Sequence, residues 1–367
     1  MLMETSVWFP LVFFLVILVV TDTALCNAVP VQAMFVFGDS LIDPGNNNNL
    51  KSLASANYLP HGIDFSEGPT GRFCNGGTMA DHLSILLGLG LIPAFTNPST
   101  KGSNVLRGVN FASSAAGLLN DTGAPFGDRL SMDRQIVGFR EIILPQFKRN
   151  IGRETTTEGY LAKSLFFSNM GSNDFLTNYI LPTSYEPKLY SVPAYQDHLT
   201  QVYTRQLKEL YNLGARKFLI TGIPPFGCIP FAIVLLNLKD DQCVSKLNDM
   251  AMHLNSKVKT MVQQLNKELS GASFLFWDLN NIMTEIIDNP SRYGFKYTNI
   301  ACCGAGRLNS ILLCTEDVPF VCPDRSEYVF WDPFHPSDAF NAIVSEQAYG
   351  GKLQDTYPMN VKQLLQL

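Results

Sequence analysis

The sequence predicts an α/β/α fold, in which a parallel sheet lies between two layers of helices. Five short runs rich in Val, Ile, Phe and Leu recur along the chain, and helix-like segments separate them. The runs are apolar almost throughout rather than at alternate positions, as expected of strands that are covered on both faces. Strands and helices that alternate in this way favour parallel strands joined by right-handed crossovers.

Each predicted strand has the length and composition of a buried strand. The five are AMFVFG at 33–38, GVNFASS at 108–114, SLFFSNM at 164–170, KFLITGI at 217–223 and ASFLFWDL at 272–279. The predicted helices cover 78–89, 131–150, 195–213 and 241–270. Pro145 interrupts the second helix, and the last carries apolar residues at spacings of three and four until Gly271 ends it. No internal repeat is visible, so we expect one domain over 27–367.

The composition limits the classes of function. The chain has 367 residues, of which 46% are hydrophobic and 16% charged, and this is enough apolar material for a sizeable core. The net charge is −5, and no dense cluster of Lys and Arg matches a phosphate backbone. A nucleic-acid partner is therefore not expected.

The N-terminus is typical of a secretory signal peptide. The segment from Val7 to Val20 is apolar apart from Pro10, is too short for a membrane span, and precedes the small and polar TDTALCNA. We expect cleavage after Cys26 or Ala28, which makes 1–26 a signal peptide and the mature protein secreted, without a stable membrane span. A retained anchor is the alternative, because the first residues include Glu4 but no Lys or Arg.

The cysteines agree with an oxidising compartment. Of the eight, seven remain once Cys26 is removed, so one thiol is left over. Cys228 and Cys243 close a short loop, and four more form a C-terminal cluster. These four are Cys302, Cys303, Cys314 and Cys322. We expect two disulfides in the cluster and a free Cys74.

A zinc site is the alternative for the cluster, but adjacent cysteines fit the usual Cys-x2-4-Cys ligand spacing poorly. The sequence otherwise indicates no metal and no cofactor. The triplet that begins at Asn120, Asn-Asp-Thr, is a sequon for N-glycosylation.

Polar residues that follow the predicted strands carry the candidate chemistry, because parallel sheets bind ligands beyond the carboxyl ends of their strands. Ser40 follows the first strand, Gly117 the second and Asn173 the third. Each also has an ordinary structural interpretation: a cap where a helix begins, a site of close packing and a turn residue, respectively.

Among the five histidines, His335 differs from the rest. It lies three residues after Asp332 on a turn between two prolines, so that Asp332 can reach Nδ1 and leave Nε2 to accept a serine proton. Serine chemistry requires such a base together with donors for the oxyanion. The Gly-x-Ser-x-Gly elbow and the His-Glu-x-x-His metal motif are both absent from the sequence.

The segments that carry these residues resemble a known family. FVFGDSLIDPGNNN, NFASSAAG, GSNDF and FWDPFHPS resemble the four blocks of the SGNH, or GDSL, hydrolase superfamily, and more closely the plant GDSL esterase/lipase family. GRFCNGGTMADHL, LYNLGARKFLITGIPPFGCIP and ACCGAGRLN are also similar to that family. The resemblance covers nearly the whole mature chain.

The resemblance implies a flavodoxin-like three-layer α/β/α sandwich with a five-stranded parallel sheet. It implies that Ser40 is the nucleophile, that His335 is the general base and then the general acid, and that Asp332 orients His335. The oxyanion donors are then the N–H groups of Ser40 and Gly117 and the side-chain amide of Asn173.

The implied function is a secreted serine esterase or lipase that hydrolyses lipid esters or acylated small-molecule or sugar esters through an acyl-enzyme. An acyltransferase with the same triad is one alternative, and a non-catalytic binding protein on the same fold is another. Four phenylalanines near predicted loops are candidates for an acyl-binding cleft, although core packing explains most phenylalanines. They are Phe65, Phe95, Phe126 and Phe175.

Overall fold

The structure, a computed structural model, describes residues 31–153, 155–181, 184–237 and 239–367. The predicted signal peptide, including Cys26, lies outside these residues. No helix in the described ranges is both long and apolar enough to cross a bilayer.

A sheet of five strands forms the centre of the fold. The strands of the described residues are β1 (Met34–Gly38), β2 (Leu165–Asn169), β3 (Lys217–Thr221), β4 (Ser273–Trp277), β5 (Tyr297–Ala301), β6 (Tyr328–Phe330) and β7 (Thr356–Tyr357). The central sheet has the order β1-β2-β3-β4-β7, with the first four strands parallel and β7 antiparallel to β4. Almost every residue of the four parallel strands is buried, which explains why their sequences are continuously apolar.

The predicted strand over 108–114 is present in position but irregular. It runs parallel to β1, where Val36 N–H donates to Val109 O (3.0 Å) and Phe111 N–H donates to Val36 O (2.8 Å). Asn110 Oδ1, however, accepts the N–H of Ala112 two residues further on (2.9 Å). The ladder is interrupted where the N–H of Gly38 donates to the side chain of Gln135 (2.9 Å) rather than to Phe111 O, so the segment forms only a bridge to β1. The fifth strand of the sheet is instead the antiparallel β7.

The four predicted helical segments are helical in the structure, and their ends agree with the prediction within a few residues. The α-helices of the described residues are α1 (Met79–Leu86), α2 (Met132–Val137), α3 (Leu144–Asn150), α4 (Thr157–Ala162), α5 (Ser172–Phe175), α6 (Glu186–Leu189), α7 (Val192–Asn212), α8 (Pro230–Leu236), α9 (Ser245–Glu268), α10 (Leu279–Asp288), α11 (Asp338–Gly350) and α12 (Val361–Leu364). The interruption predicted at Pro145 takes the form of a π-helical segment, Gly138–Ile143, which joins α2 to α3. Its wider turn lies just before the proline, which lacks the N–H that a regular helix needs.

The helices form two groups, as the three-layer prediction requires. In one group α2 packs against α7, and α7 against α9, which also contacts β4. In the other, α1 packs against α11, and α11 contacts α10 and α12. The α/β/α fold class is therefore confirmed.

A small second sheet lies beside the main one and is held by disulfides. In it β5 pairs with β6 in parallel. Disulfides join Cys302 to Cys322 and Cys303 to Cys314, so the predicted pair of disulfides in the cluster is confirmed and the zinc alternative is wrong. Elsewhere Cys228 bonds to Cys243, and Cys74 is a buried free thiol, both as predicted.

Candidate active site

Ser40 lies immediately beyond the carboxyl end of β1, in a tight turn. The N–H of Ile42 donates to Asp39 O (3.2 Å), and the N–H of Leu41 donates to Asp39 Oδ1 (3.0 Å). The next helical turn begins only at Asn46, so the alternative in which Ser40 caps a helix is wrong. The backbone N–H of Ser40 donates to none of the described residues and is therefore available to a ligand.

The strand end before Ser40 is anchored by a side chain from α2. Gln135 accepts the N–H of Gly38 at Oε1 (2.9 Å) and donates from Nε2 to Gly38 O (2.8 Å). The sequence does not mark Gln135, because a glutamine in an amphipathic helix has no distinctive spacing. Burial raises the pKa of the neighbouring Asp39 carboxyl to about 7.

Asp332 and His335 lie on the loop that follows β6. Asp332 Oδ1 accepts the N–H groups of Phe334 (2.8 Å) and His335 (2.9 Å), and Trp331 N–H donates to His335 O (2.8 Å). These bonds close a compact turn with both functional side chains on its inner side. Of the two prolines noted in the sequence, Pro333 lies within that turn and Pro336 closes it, since Phe330 and Pro336 form a bridge across it.

Ser40, His335 and Asp332 form one continuous hydrogen-bonded chain. His335 Nε2 lies 2.8 Å from Ser40 Oγ, and Nδ1 lies 2.9 and 2.8 Å from the two Asp332 carboxylate oxygens. Burial opposes ionisation of Asp332, but the charge and hydrogen bond of His335 outweigh it, and the pKa of Asp332 stays below its ordinary value. An ionised Asp332 requires Nδ1 to carry a proton, which leaves Nε2 free to accept one from Ser40.

Gly117 and Asn173 are brought together by the residue that follows Asn173. The buried Asp174 accepts the N–H of Leu118 (3.0 Å), the N–H of Leu119 (3.1 Å) and the hydroxyl of Thr122 (2.6 Å). A Cβ on Gly117 would lie 2.6 Å from this carboxylate, so the loop passes Asp174 at a distance that only glycine permits.

Next to this contact, Asn173 and Gly117 each have an N–H group without a partner among the described residues. Asn173 Nδ2 donates one hydrogen bond, to Ala116 O (3.0 Å), and has a second hydrogen to give. The N–H of Gly117 donates to none of the described residues. The loop that carries Gly117 and the short helix α5, which carries Asn173, therefore present one free donor each.

Asp43 connects the loop after Ser40 to the loop before Gly117. Its Oδ2 accepts both the N–H (2.8 Å) and the hydroxyl (2.7 Å) of Ser114, while its Oδ1 accepts the N–H of Gly45 (2.8 Å). Next to Ser114, Ala115 has a φ of 63°, which is strained for a residue with a side chain. Asp43 joins the loop after Ser40 to the loop that carries Gly117, a role that no motif in the sequence indicated.

The four phenylalanines that the sequence offered for an acyl-binding cleft have other contacts. Phe175 is fully buried against Phe226, Phe95 packs on Phe111, and Phe65 lies beneath the guanidinium of Arg72. These contacts give the three phenylalanines packing roles, and Phe126 ends a short 3-10 turn.

The sequon asparagine is at the surface. Asn120 is exposed, and its side chain bonds to Ser131 and Asp133. Its glycosylation stays a prediction. In the described ranges, no group of His, Cys, Asp and Glu side chains is arranged to hold a metal ion.

Comparisons with known proteins identify the family of this chain. The family model described as GDSL-like lipase/acylhydrolase matches residues 34–348. One GDSL esterase/lipase of Arabidopsis thaliana is 45% identical over 92% of this chain and 86% of its own length. GDSL esterase/lipase 7 of the same plant is 42% identical over 91% of this chain and 92% of its own length.

Similarity among solved structures is weaker. A carbohydrate esterase aligns with 67% of this chain and 59% of its own at a TM-score of 0.31 and 10% identity, a level that supports no inference about the site. The family match and the sequence relatives cover most of the chain. The chain therefore belongs to the GDSL esterase/lipase family and is a carboxylic ester hydrolase.

Proposed function

We propose that the protein is a serine esterase or lipase that cleaves carboxylic esters through an acyl-enzyme on Ser40. The observation that carries the proposal is the chain of hydrogen bonds from Ser40 Oγ to His335 Nε2 (2.8 Å) and from His335 Nδ1 to Asp332 (2.8 Å). A serine, a base within reach and a group that orients the base are what nucleophilic catalysis requires.

In the first half-reaction Ser40 Oγ attacks the ester carbonyl while His335 Nε2 takes the hydroxyl proton. The tetrahedral intermediate then collapses, the bond to the alcohol oxygen breaks, and His335 returns the proton to the departing alcohol. In the second half-reaction water attacks the acyl group on Ser40, with His335 again as the base, and the acid is released. Asp332 stabilises the imidazolium that forms in both steps.

The developing oxyanion is held by three donors: the N–H groups of Ser40 and Gly117 and the side-chain amide of Asn173. The proposal is supported by the free state of the two N–H groups in the described residues and by the spare hydrogen of Asn173. Donors that are already in place need no reorganisation when charge develops, and each contributes about 10²–10³ in turnover.

The test is the variant Ser40→Ala, assayed on soluble p-nitrophenyl esters and labelled with a fluorophosphonate. We expect turnover to fall about 10⁶-fold, as when other hydrolases lose their serine nucleophile, and labelling to disappear. Ser66→Ala is the matched control, because Ser66 is an exposed loop serine. Wild-type turnover in Ser40→Ala would refute the assignment.

The proposed substrates are lipid esters or acylated small-molecule or sugar esters. A panel from acetylated sugars to long-chain acylglycerols, with Ser40→Ala as the blank, identifies the preferred class. The same panel with added alcohol measures acyl transfer: a dominant transesterified product would assign the acyltransferase function instead.

We also propose that the protein is secreted. The proposal is supported by the three disulfides among the described residues, because disulfides persist mainly in oxidising compartments. Expression of the full chain in a secretory host, followed by N-terminal sequencing, tests it. We expect a mature protein that begins at Asn27 or Val29, and an uncleaved chain retained in the cell contradicts the proposal.

A further inference from the structure

We propose that His61 is a positioning residue for catalysis: by accepting the indole N–H of Trp331 it holds the loop that carries Asp332 and His335. The proposal rests on the proposed function, since it assumes that this pair serves Ser40. No motif in the sequence marks His61, which lies in a loop rich in proline and glycine.

His61 is a buried imidazole whose acceptor nitrogen is in use. Only 2% of the residue is exposed, and its Nδ1 lies 3.0 Å from Trp331 Nε1. An indole nitrogen can only donate, so Nδ1 carries no proton and the ring is the neutral Nε2–H tautomer. Burial agrees with this state, because it lowers the pKa of His61 to about 4.

Trp331 makes three hydrogen bonds, one each to His61, to the catalytic loop and to the disulfide-bonded Cys303. Its side chain donates to His61, its backbone N–H donates to His335 O (2.8 Å), and its backbone O accepts the N–H of Cys303 (2.7 Å). Trp331 is fully buried and directly precedes Asp332. A shift of its ring therefore moves the backbone that presents the carboxylate.

The residues around His61 also contact His335 and the disulfide-bonded Cys314. The Phe73 ring lies 5.7 Å from His61 and 4.8 Å from His335, between centroids. Tyr58 packs edge-on against His61, and its hydroxyl donates to Cys314 O (3.3 Å), a carbonyl that also interacts with the His61 ring. The charged or titratable groups that act on His61 are thus Asp332 and His335, with Tyr58 in contact.

Loss of the acceptor leaves the Trp331 N–H buried without a partner, and the ring must move to satisfy it. Misplacement of a catalytic group by about 1 Å costs on the order of 10² in rate. We therefore expect His61→Leu to lower kcat about 10- to 100-fold on a soluble p-nitrophenyl ester, with little change in KM.

The decisive comparison is between His61→Leu and His61→Asn. The amide oxygen of asparagine reaches the position of Nδ1, so His61→Asn is expected to keep kcat within about threefold of wild type. A role in stability alone predicts normal kcat for both below their melting temperatures. The downfield proton resonance of the Asp332–His335 bond provides a second readout, which we expect to shift in His61→Leu and to return in His61→Asn.

His253→Leu is the matched control, because His253 is exposed on α9. Wild-type kcat in His61→Leu, or equal losses in the Leu and Asn variants, overturns the proposal. If His61→Leu does not fold, the variant Trp331→Phe is used instead, because it removes the indole N–H that donates to His61. We expect its kcat to fall about tenfold. A normal kcat in Trp331→Phe refutes the positioning role of this bond. Activity that survives in Ser40→Ala refutes the proposed function instead, so the two failures are distinct.

Discussion

Replacement of Gly117 by alanine tests the loop that carries one oxyanion donor. A Cβ there would lie 2.4 Å from Thr122 Cγ2 and 2.6 and 2.7 Å from the two Asp174 oxygens. Contacts under 3 Å cannot persist, so either the Gly117 backbone or the Asp174 carboxylate must move. Asp174 is fully buried and is held by three hydrogen bonds.

The magnitude follows from those bonds. If Asp174 moves, three hydrogen bonds weaken at about 1 kcal/mol each, which amounts to about 3 kcal/mol of stability. If the backbone moves instead, the Gly117 N–H leaves the oxyanion position, and the loss of one donor lowers kcat about 10²–10³-fold. We expect Gly117→Ala to show a substantial part of both effects.

The assays are urea denaturation for stability and kcat on a soluble p-nitrophenyl ester. Gly152→Ala is the matched control, because a Cβ at Gly152 meets nothing within 4 Å. If Gly117→Ala keeps kcat within threefold of wild type and leaves the free energy of unfolding unchanged, both the close contact with Asp174 and the role of the Gly117 N–H as a donor are refuted.

Three further predictions concern the loop after β6 and two residues, Cys303 and His61, that bond to Trp331 in that loop. Asp332→Asn should lower kcat about 10⁴-fold, because an amide favours the wrong tautomer of His335; steady-state kinetics measures the loss. Removal of the disulfide by Cys303→Ser with Cys314→Ser should cost about 2–5 kcal/mol of stability, measured in urea, and should lower kcat, since the Cys303 N–H donates to the Trp331 carbonyl. The pKa of His61 is about 4 when folded and 6.5 when exposed, so the unfolded chain binds the proton more tightly. Stability should therefore fall as the pH drops from about 6.5 to about 4, by about 3 kcal/mol, and His61→Asn should abolish that part of the loss in urea titrations.

Each of these predictions has a control. Asp324→Asn changes an exposed carboxylate and should leave kcat unchanged. For the disulfide, kcat is measured well below the melting temperature of the double variant, so that a fall in kcat reports on the loop after β6 rather than on unfolding; an unchanged kcat there would contradict the role given to Cys303. For the pH prediction, His253→Asn should retain the wild-type dependence; a His61→Asn protein that still loses the full 3 kcal/mol contradicts the calculation.

The fold was predictable because its central strands are buried on both faces. Continuous apolar runs identify β1 to β4, and the amphipathic pattern identifies α9 within a few residues of its ends. The irregularity at 108–114 was not predictable, because it depends on a bond from the Gly38 N–H to Gln135, 97 residues away in the sequence. β7 has only two residues, Thr356 and Tyr357, too few for any period to appear.

Some residues of the candidate site were likewise predictable from the sequence, and others were not. Ser40, Asp332 and His335 stand out because a local motif or a spacing of three marks them. Gln135 and His61 act across 97 and 270 residues of sequence, on Gly38 and Trp331. Such partners are defined only by tertiary packing, so neither residue type nor spacing identifies them.

The proposed nucleophile and base come from different sheets. Ser40 follows β1 of the main sheet, whereas His335 follows β6 of the small sheet. Proteins open in parts with different local stabilities, and a 2.8 Å contact between two such parts is lost when either one opens. On warming, we therefore expect ester hydrolysis to fail before the main sheet unfolds, which makes enzymatic activity a more sensitive reporter of partial unfolding than the far-UV circular dichroism of the whole chain.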